Sequence, residues 1–456
     1  MEQAKGYTIK DFVIQLDPKI QASAKFDAVR GNQSSINIQK LCSAFNYIES
    51  IDAPSIRCEF MIGDTIDLIT GLNGNEIIEI EIESMQATGK TLKIKQQIFK
   101  IGEITKSERA VQYILYTVSP HMITNESKKV FKSFMGVPAS QTVRKVLKDY
   151  LNVSNDRSLN FEDTRGNLNF IAPTWRPFDV ISYVSDKCVS GSKGLAGYLF
   201  YETQSAFNFV TIDHLCSSEN KKNILKYRYE QANVGNADVN LFKVESISFP
   251  ARANHLEKMR TGAYSNTVIG IKAPALTSGA LPNSGGGQGK DGPTGSIKPP
   301  VNMSLLNVFG LAKGKGCILN ESFPFPKIDQ TYFSDKVPTR MKIRALPGMK
   351  NSSSVGDSSA NAQNMDVDTL SASAYSFSRW QLLNAITLDI VVPGNVVLEA
   401  GRIIELEIPQ SGQDTNRVEL DPTYSGYYLI KGLTHSYTPE GITTHLNLCK
   451  GSISSR

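Results

Sequence analysis

Two of the chain's five histidines stand ten residues apart in "GLTHSYTPEGITTHLNLCKG", Gly432 to Gly451, and this spacing across a turn is what a metal or catalytic pair would use. Pro439-Glu440-Gly441 suits a three-residue hairpin loop, with proline presetting the first αR position and glycine taking the left-handed residue that closes a G1 bulge. That register sets His435 directly opposite His445, with Cβ atoms about 5 Å apart. Zinc needs at least a third ligand. Cys449, the nearest candidate, would lie roughly 13 Å further along the strand. The expectation is a structural cross-strand pair of His435 and His445, with no metal, no cofactor and no catalytic residue.

Other motifs stop short of chemistry in the same way. "ATGKT", Ala87 to Thr91, ends like a phosphate-binding loop, but Ser84 stands where its first glycine belongs and the stretch joins two strands. "AKGKGC" at Ala312 reads as a Gly/Lys turn, and "DVD", Asp366 to Asp368, lacks the glycine and distal glutamate of a calcium loop. Asp213-His214 could be half of a triad, yet no serine sits in a Gly-x-Ser-x-Gly elbow. Missing motifs do not exclude an enzyme, since a glycosidase needs only two well-placed carboxylates.

The elements that would position these residues are mostly strands. At 456 residues the chain has room for two to four domains, and 40% hydrophobic content supports ordinary cores. A net charge of +5, with only isolated pairs such as Lys128-Lys129 and Lys221-Lys222, argues against tight nucleic-acid binding. No apolar run approaches the roughly 18 residues of a membrane span, and "MEQAKGYTIKDFVIQLD" carries no signal-peptide core. Cys42, Cys58, Cys188, Cys216, Cys317 and Cys449 lack CxxC spacing and read as reduced, mostly buried thiols.

In "NEIIEIEIES", Ile78, Ile80 and Ile82 face one way and Glu79, Glu81 and Glu83 the other, after a hairpin signal at Asn73-Gly74. With "TLKIKQQIFKIGEITKSE" and "AVQYILYTVSPHMI" this makes an antiparallel β unit. "PASQTVRKVLKDYL" places Val143, Val146, Leu147, Tyr150 and Leu151 on one helical face, with Ser140 as N-cap. "RPFDVISYVSDKCVS" turns Phe178, Ile181, Val184 and Cys188 inward from a helix begun at Pro177. "GYLFYETQSAFNFVTID" reads as two strands around a turn. Thr277 to Pro300 reads as a Gly/Pro/Ser linker and Asn351 to Ser376 as a similar low-complexity stretch, both within a partly mobile elaboration.

Alternation returns after residue 378, and part of it repeats. "GNEIIEIEIES" aligns with "AGRIIELEIPQ", setting Ile78, Ile80 and Ile82 on Ile404, Leu406 and Ile408, and Glu79 and Glu81 on Glu405 and Glu407. "QQIFKIGEITKSERAVQYILYTVSP" then matches the layout of "GYYLIKGLTHSYTPEGITTHLNLCKG". The first copy has no histidine at the matching hairpin, which favours architecture over chemistry for His435 and His445.

"NFIAPTWRPFDVISYVSDKCVS" with the strand pair after it, "FKVESISFPARANHLEKMRTGAYSNTVIGI" and "GYYLIKGLTHSYTPEGITTHLNL" together resemble the central baseplate hub protein of contractile-tailed bacteriophages. Similar hubs occur in other tailed phages and at the base of type VI secretion spikes. The resemblance covers residues 40 to 275 and 380 to 451, and nothing is carried onto 276–378. It implies a mainly β (α+β) chain: two similar antiparallel β-barrel tube domains joined by a smaller α+β domain, with a long loop-rich insertion. The expected bounds are 1–123 for the first barrel, 124–238 for the α+β domain, 239–275 and 379–456 for the split second barrel, and 276–378 for the insertion.

The resemblance further implies a homotrimer whose six barrels form a pseudo-sixfold ring. Such a ring adapts a sixfold tail tube to a threefold central spike and lets DNA pass. Expected partners are the spike or needle protein, tube or tube-initiator proteins and other baseplate proteins. The expected location is the virion tail baseplate, assembled in host cytoplasm, with lytic activity left to the spike and any needle expected to be a separate protein. Glu79, Glu81, Glu405 and Glu407 are candidates to line the lumen and repel DNA. The alternatives for that face are a solvated surface or an interface with basic residues such as Lys93 and Lys95. The competing function is a cell-wall-degrading or glycan-processing tail enzyme.

Overall fold

A computed structural model of the chain describes residues 7–16, 22–31, 33–84, 91–108, 110–153, 157–229, 242–250, 255–272, 300–325, 340–346, 359–410 and 419–454. The first β unit comprises β1 (Tyr7–Gln15), β2 (Ser35–Asn37), β3 (Cys42–Ser50), β4 (Arg57–Asp64), β5 (Ile77–Ser84), β6 (Thr91–Lys106) and β7 (Val111–Val118). The period-two pattern dictates its faces. Ile78, Ile80 and Ile82 of β5 are buried together with Phe45, Phe60, Leu92, Ile94 and Leu115, while the intervening side chains face out. The strands pair in the order β2-β1-β5-β6-β7-β4-β3, each pair antiparallel.

Asn73-Gly74 is not a hairpin turn. It lies in the loop that carries the chain away from β4, and the Glu76 carboxylate accepts the backbone N–H groups of Asn73, Gly74 and Asn75. Local turn chemistry was satisfied by a side chain instead of by a strand pair.

The α+β domain has its own core. β8 (Val130–Phe134) and β10 (Phe170–Trp175) pair antiparallel; β12 (Ala206–Thr211) pairs antiparallel with β11 (Tyr198–Glu202) and parallel with β9 (Ser158–Phe161). Two helices, Ala139–Asp149 and Pro177–Ser185, pack Val143, Val146, Leu147, Phe178, Ile181 and Val184 against these strands. Ser140 is not the N-cap. Pro138 is, and the Ser140 backbone N–H goes to Thr164 Oγ1 at 3.0 Å.

The chain then supplies β13 (Leu225–Arg228) and β14 (Ser246–Ser248), and leaves the large sheet for β15 (Ser265–Lys272), β16 (Val301–Ser304) and β17 (Arg340–Leu346). It returns as β18 (Ile386–Pro393), β19 (Ile403–Glu407), β20 (Gly426–Thr438) and β21 (Gly441–Lys450). These pair in the order β13-β19-β20-β21-β18-β14. A β20–β3 pairing joins the two units into one 13-stranded sheet over one shared core. Among the described residues the pairings form an open series and no closed barrel.

Two expectations change here. β15, assigned from sequence to the second β unit, instead pairs with β16 and β17 in a separate sheet, whereas β13, assigned to the α+β domain, joins the large one. The insertion is also more than loops. The Asn351–Ser376 stretch is helical from Ser359, in a helix running to Leu383. Leu370, Tyr375 and Leu382 of that helix share a core with Tyr264, Val268, Leu305 and Val308. Residues 277–299 lie outside the described residues.

Candidate assembly surfaces

The β20–β21 hairpin closes with Thr438 opposite Gly441, leaving a two-residue Pro439-Glu440 turn. His435 therefore pairs with Thr444 and His445 with Thr434. One residue of slip sends the two imidazoles to opposite faces: His435 is 1% exposed, and His445 is exposed. They are not a cross-strand pair and cannot share a ligand. His435 Nδ1 lies 2.9 Å from Thr444 Oγ1, which also accepts the Asn395 N–H. Burial pushes the His435 imidazole down to about 4, so it is neutral near pH 7. Its ring stacks on Tyr47, and Tyr437 stacks on Phe45 at 4.1 Å, both across the β20–β3 seam.

The glutamates form two matching ladders. Glu79 and Glu81 sit opposite Lys95 and Lys93 on β6, at 2.8 and 3.5 Å. Glu405 and Glu407 sit opposite Lys226 and Arg228 on β13, and Lys226 Nζ lies 2.8 Å from Glu407. In both units the apolar partners, Ile78, Ile80 and Ile82 or Ile404, Leu406 and Ile408, point into the shared core. Lys93 and Lys95 pair within their own chain, so these faces are charge-balanced.

Two buried polar clusters, absent from any sequence motif, fix the joints. Glu49, 1% exposed, accepts from Tyr47 Oη and the Gln204 N–H at 2.6 Å and the Ala400 N–H at 2.9 Å, tying β3 to the α+β domain and the second unit. Burial raises its carboxyl to about 7. Glu202 beside it accepts from the Ile56 N–H, Ser119 Oγ and Arg157.

The second cluster explains Asp213. Its carboxylate receives Arg379 Nε at 2.8 Å and Tyr375 Oη at 2.9 Å, and Arg379 also donates to the Cys317 carbonyl. All are buried, which makes Asp213 a structural ion-pair member that clamps the insertion helix to the α+β domain. Ala312 sits in a helix, and Ala87 to Lys90 lie outside the described residues. Among the described residues no three His, Cys, Asp or Glu side chains are placed to hold a metal, and no helix is long and apolar enough to cross a membrane.

The two β units correspond in detail. Besides the shared order β1-β5-β6-β7-β4-β3 and β13-β19-β20-β21-β18-β14, each long strand carries an extra residue at the same place, Phe99 between Ile98 and Lys100 in β6, and Lys431 between Ile430 and Gly432 in β20. A β-bulge is a specific local device, and its recurrence fixes the register between units. The units differ in three ways: β1 lies antiparallel on β5 whereas β13 lies parallel on β19, β6 has a second irregularity between Gly102 and Thr105 that β20 lacks, and β2 has no counterpart in the second unit among the described residues.

The fold is similar to that of a solved tail protein. The tail protein of Neisseria meningitidis MC58 superposes with a TM-score of 0.51 at 10% identity, covering 99% of this chain and 100% of that one. The 43 kDa tail protein of prophage MuSo2 from Shewanella oneidensis gives 0.49 at 8% identity over 97% and 98%. An E. coli type VI secretion component described as structurally similar to bacteriophage T4 tail proteins gives 0.41 at 10% identity over 90% and 73%. No family model matches the sequence, and no curated protein matches it.

Proposed function

We propose that the chain is the structural hub of a phage tail baseplate, in which three copies set six near-equivalent β units around one axis. The observation that carries this reading is the correspondence of the two units, in strand order and in bulge position, within one polypeptide. Three chains can present sixfold-like surfaces only if each supplies two such units. In this reading the ring adapts a sixfold tail tube to a threefold spike, contacts tube-initiating and other baseplate proteins, and passes DNA through its lumen in the virion. It assembles in host cytoplasm and has no catalytic role. The two sheet-borne units are the proposed tube domains.

The lumen role of Glu79, Glu81, Glu405 and Glu407 is retained with a different charge. Each ladder carries cations beside its glutamates, so the wall it would offer DNA is mixed instead of acidic. Two measurements on purified protein test the proposal. Light scattering is expected to give three times the chain mass, and a peptidoglycan-release assay no turnover. Release of peptidoglycan would move the assignment to a cell-wall-degrading tail enzyme.

A further inference from the structure

The shared bulge makes the strands from β5 to β3 translatable into those from β19 to β14. β20 is used twice along one edge: its Gly426–Leu429 end pairs with β19, and its Gly432–Tyr437 part pairs with β3 of the first unit. β6 begins the same way, pairing with β5 through Gln97. Beyond the bulge, however, Gly102 to Lys106 have β7 as their one strand partner among the described residues; the pairing shifts once more between Gly102 and Thr105, where Glu103 has a positive φ, and Glu103 to Lys106 are exposed. At the other end of the sheet, β14 holds the place in the second unit that β3 holds in the first. It pairs with β18 as β3 pairs with β4, and its second edge carries no strand among the described residues. One free half-edge and one free edge strand remain, and they are the counterparts of the two strands already joined inside the chain.

We infer that β14 of one copy adds antiparallel to the Gly102–Lys106 half of β6 in the next copy, repeating between chains the β20–β3 junction within the chain. The inference rests on the trimeric hub reading and names its subunit contact. Such strand addition satisfies exposed backbone groups on both edges, and a head-to-tail contact of this kind closes into a ring when the rotation permits.

The register follows from the pairings. Ala44, Phe45 and Asn46 correspond to Ser246, Ile247 and Ser248, because Met61 and Val391 hold equivalent places. Ser436 and Tyr437 correspond to Thr105 and Lys106 through their β21 and β7 partners. Ser436 faces Asn46 at 2.9 Å across the internal seam, so Thr105 faces Ser248 across the external one, polar for polar. One residue further, Phe249 takes the place of Tyr47 and Ile104 lies beside the place of His435. Phe249 is 48% exposed and Ile104 49% exposed, apolar side chains that this junction would cover.

The test is a Thr105→Cys/Ser248→Cys double variant, with the two single variants as controls and wild-type mass measured alongside. Both positions are exposed, so the fold tolerates the changes. Opposed cross-strand Cβ atoms are about 4.5–5.5 Å apart, within disulfide reach. Mild oxidation of the double variant is expected to convert most of the protein to covalent dimer and trimer on non-reducing gels, reversed by reductant, while each single variant stays monomeric. A wild-type trimer whose double variant forms no interchain bond overturns this junction and leaves the hub reading standing. A wild-type monomer at all concentrations overturns both.

Discussion

In the first β unit the far half of the long strand β6 has an open edge among the described residues, whereas in the second the same half of β20 is paired to β3. The first unit is also continuous in sequence, while the second is interrupted between β14 and β18 by a sheet and, among the described residues, three helices with a core of their own. Yet the outward ladders, the inward isoleucines and leucines, and the bulges at Phe99 and Lys431 correspond. What was kept is the sheet's internal register. What diverged is the way each unit ends, and ends are where neighbours attach.

The largest effect is expected where the second unit has a feature that the first lacks. Arg379→Ala strands Asp213 in the buried clamp of the insertion helix, which should cost about 3–5 kcal/mol in chemical denaturation. A loss under about 1 kcal/mol would mean that the insertion is held by its apolar core alone.

Next come paired truncations at equivalent positions. Ile80→Ala and Leu406→Ala should each cost about 2–5 kcal/mol and shift one common unfolding transition, because both side chains lie in a single core. Two separable transitions, each moved by one variant, would show that the units are independent.

The seam has an acid–base signature of similar size. Burial holds His435 to about 4, below the ordinary 6.5, so between those values the unfolded chain binds a proton that the folded chain does not. Its stabilising contribution is complete above pH 6.5 and is lost as pH falls to 4. Glu49, raised from 4.5 to about 7, acts the other way: its contribution is complete below 4.5 and is lost as pH rises through 7. Relative to wild type, His435→Gln should lose about 3 kcal/mol less on acidification through the first window. Glu49→Gln should lose less on alkalinisation through the second. Parallel pH profiles for both variants and wild type would contradict the assigned burial.

The smallest effect belongs to the ladders. A double-mutant cycle on Glu79 and Lys95 should give under about 1 kcal/mol, shrinking with salt, since the Lys95 side chain is exposed and that of Glu79 is partly so. A larger coupling in the assembled ring than in the free chain would place that face in an interface.

The sequence made the alternating strands legible because period-two burial is a local property: Ile78, Ile80 and Ile82 need no partner to declare their face. The offset linking Ile78 to Ile404 was legible for the same reason. The histidine register was not, because the hairpin turn is tighter by one residue and β20 is held from both sides, by β21 and β3. β15 shows the same limit, since the sheet a strand joins is set by distant partners. The insertion helix was hidden by its Ser, Asn and Asp content, which resembles a linker, although Leu370, Tyr375 and Leu382 anchor it. Glu49, Glu202 and the partners of Asp213 come together only in three dimensions.

Averaged electron micrographs of the purified protein, viewed down the particle axis, test the central claim most directly. The account predicts a closed threefold ring with six near-equal lobes, alternating between the two β units. A particle whose lobes differ in shape, or whose two units do not lie around a common axis, would contradict it.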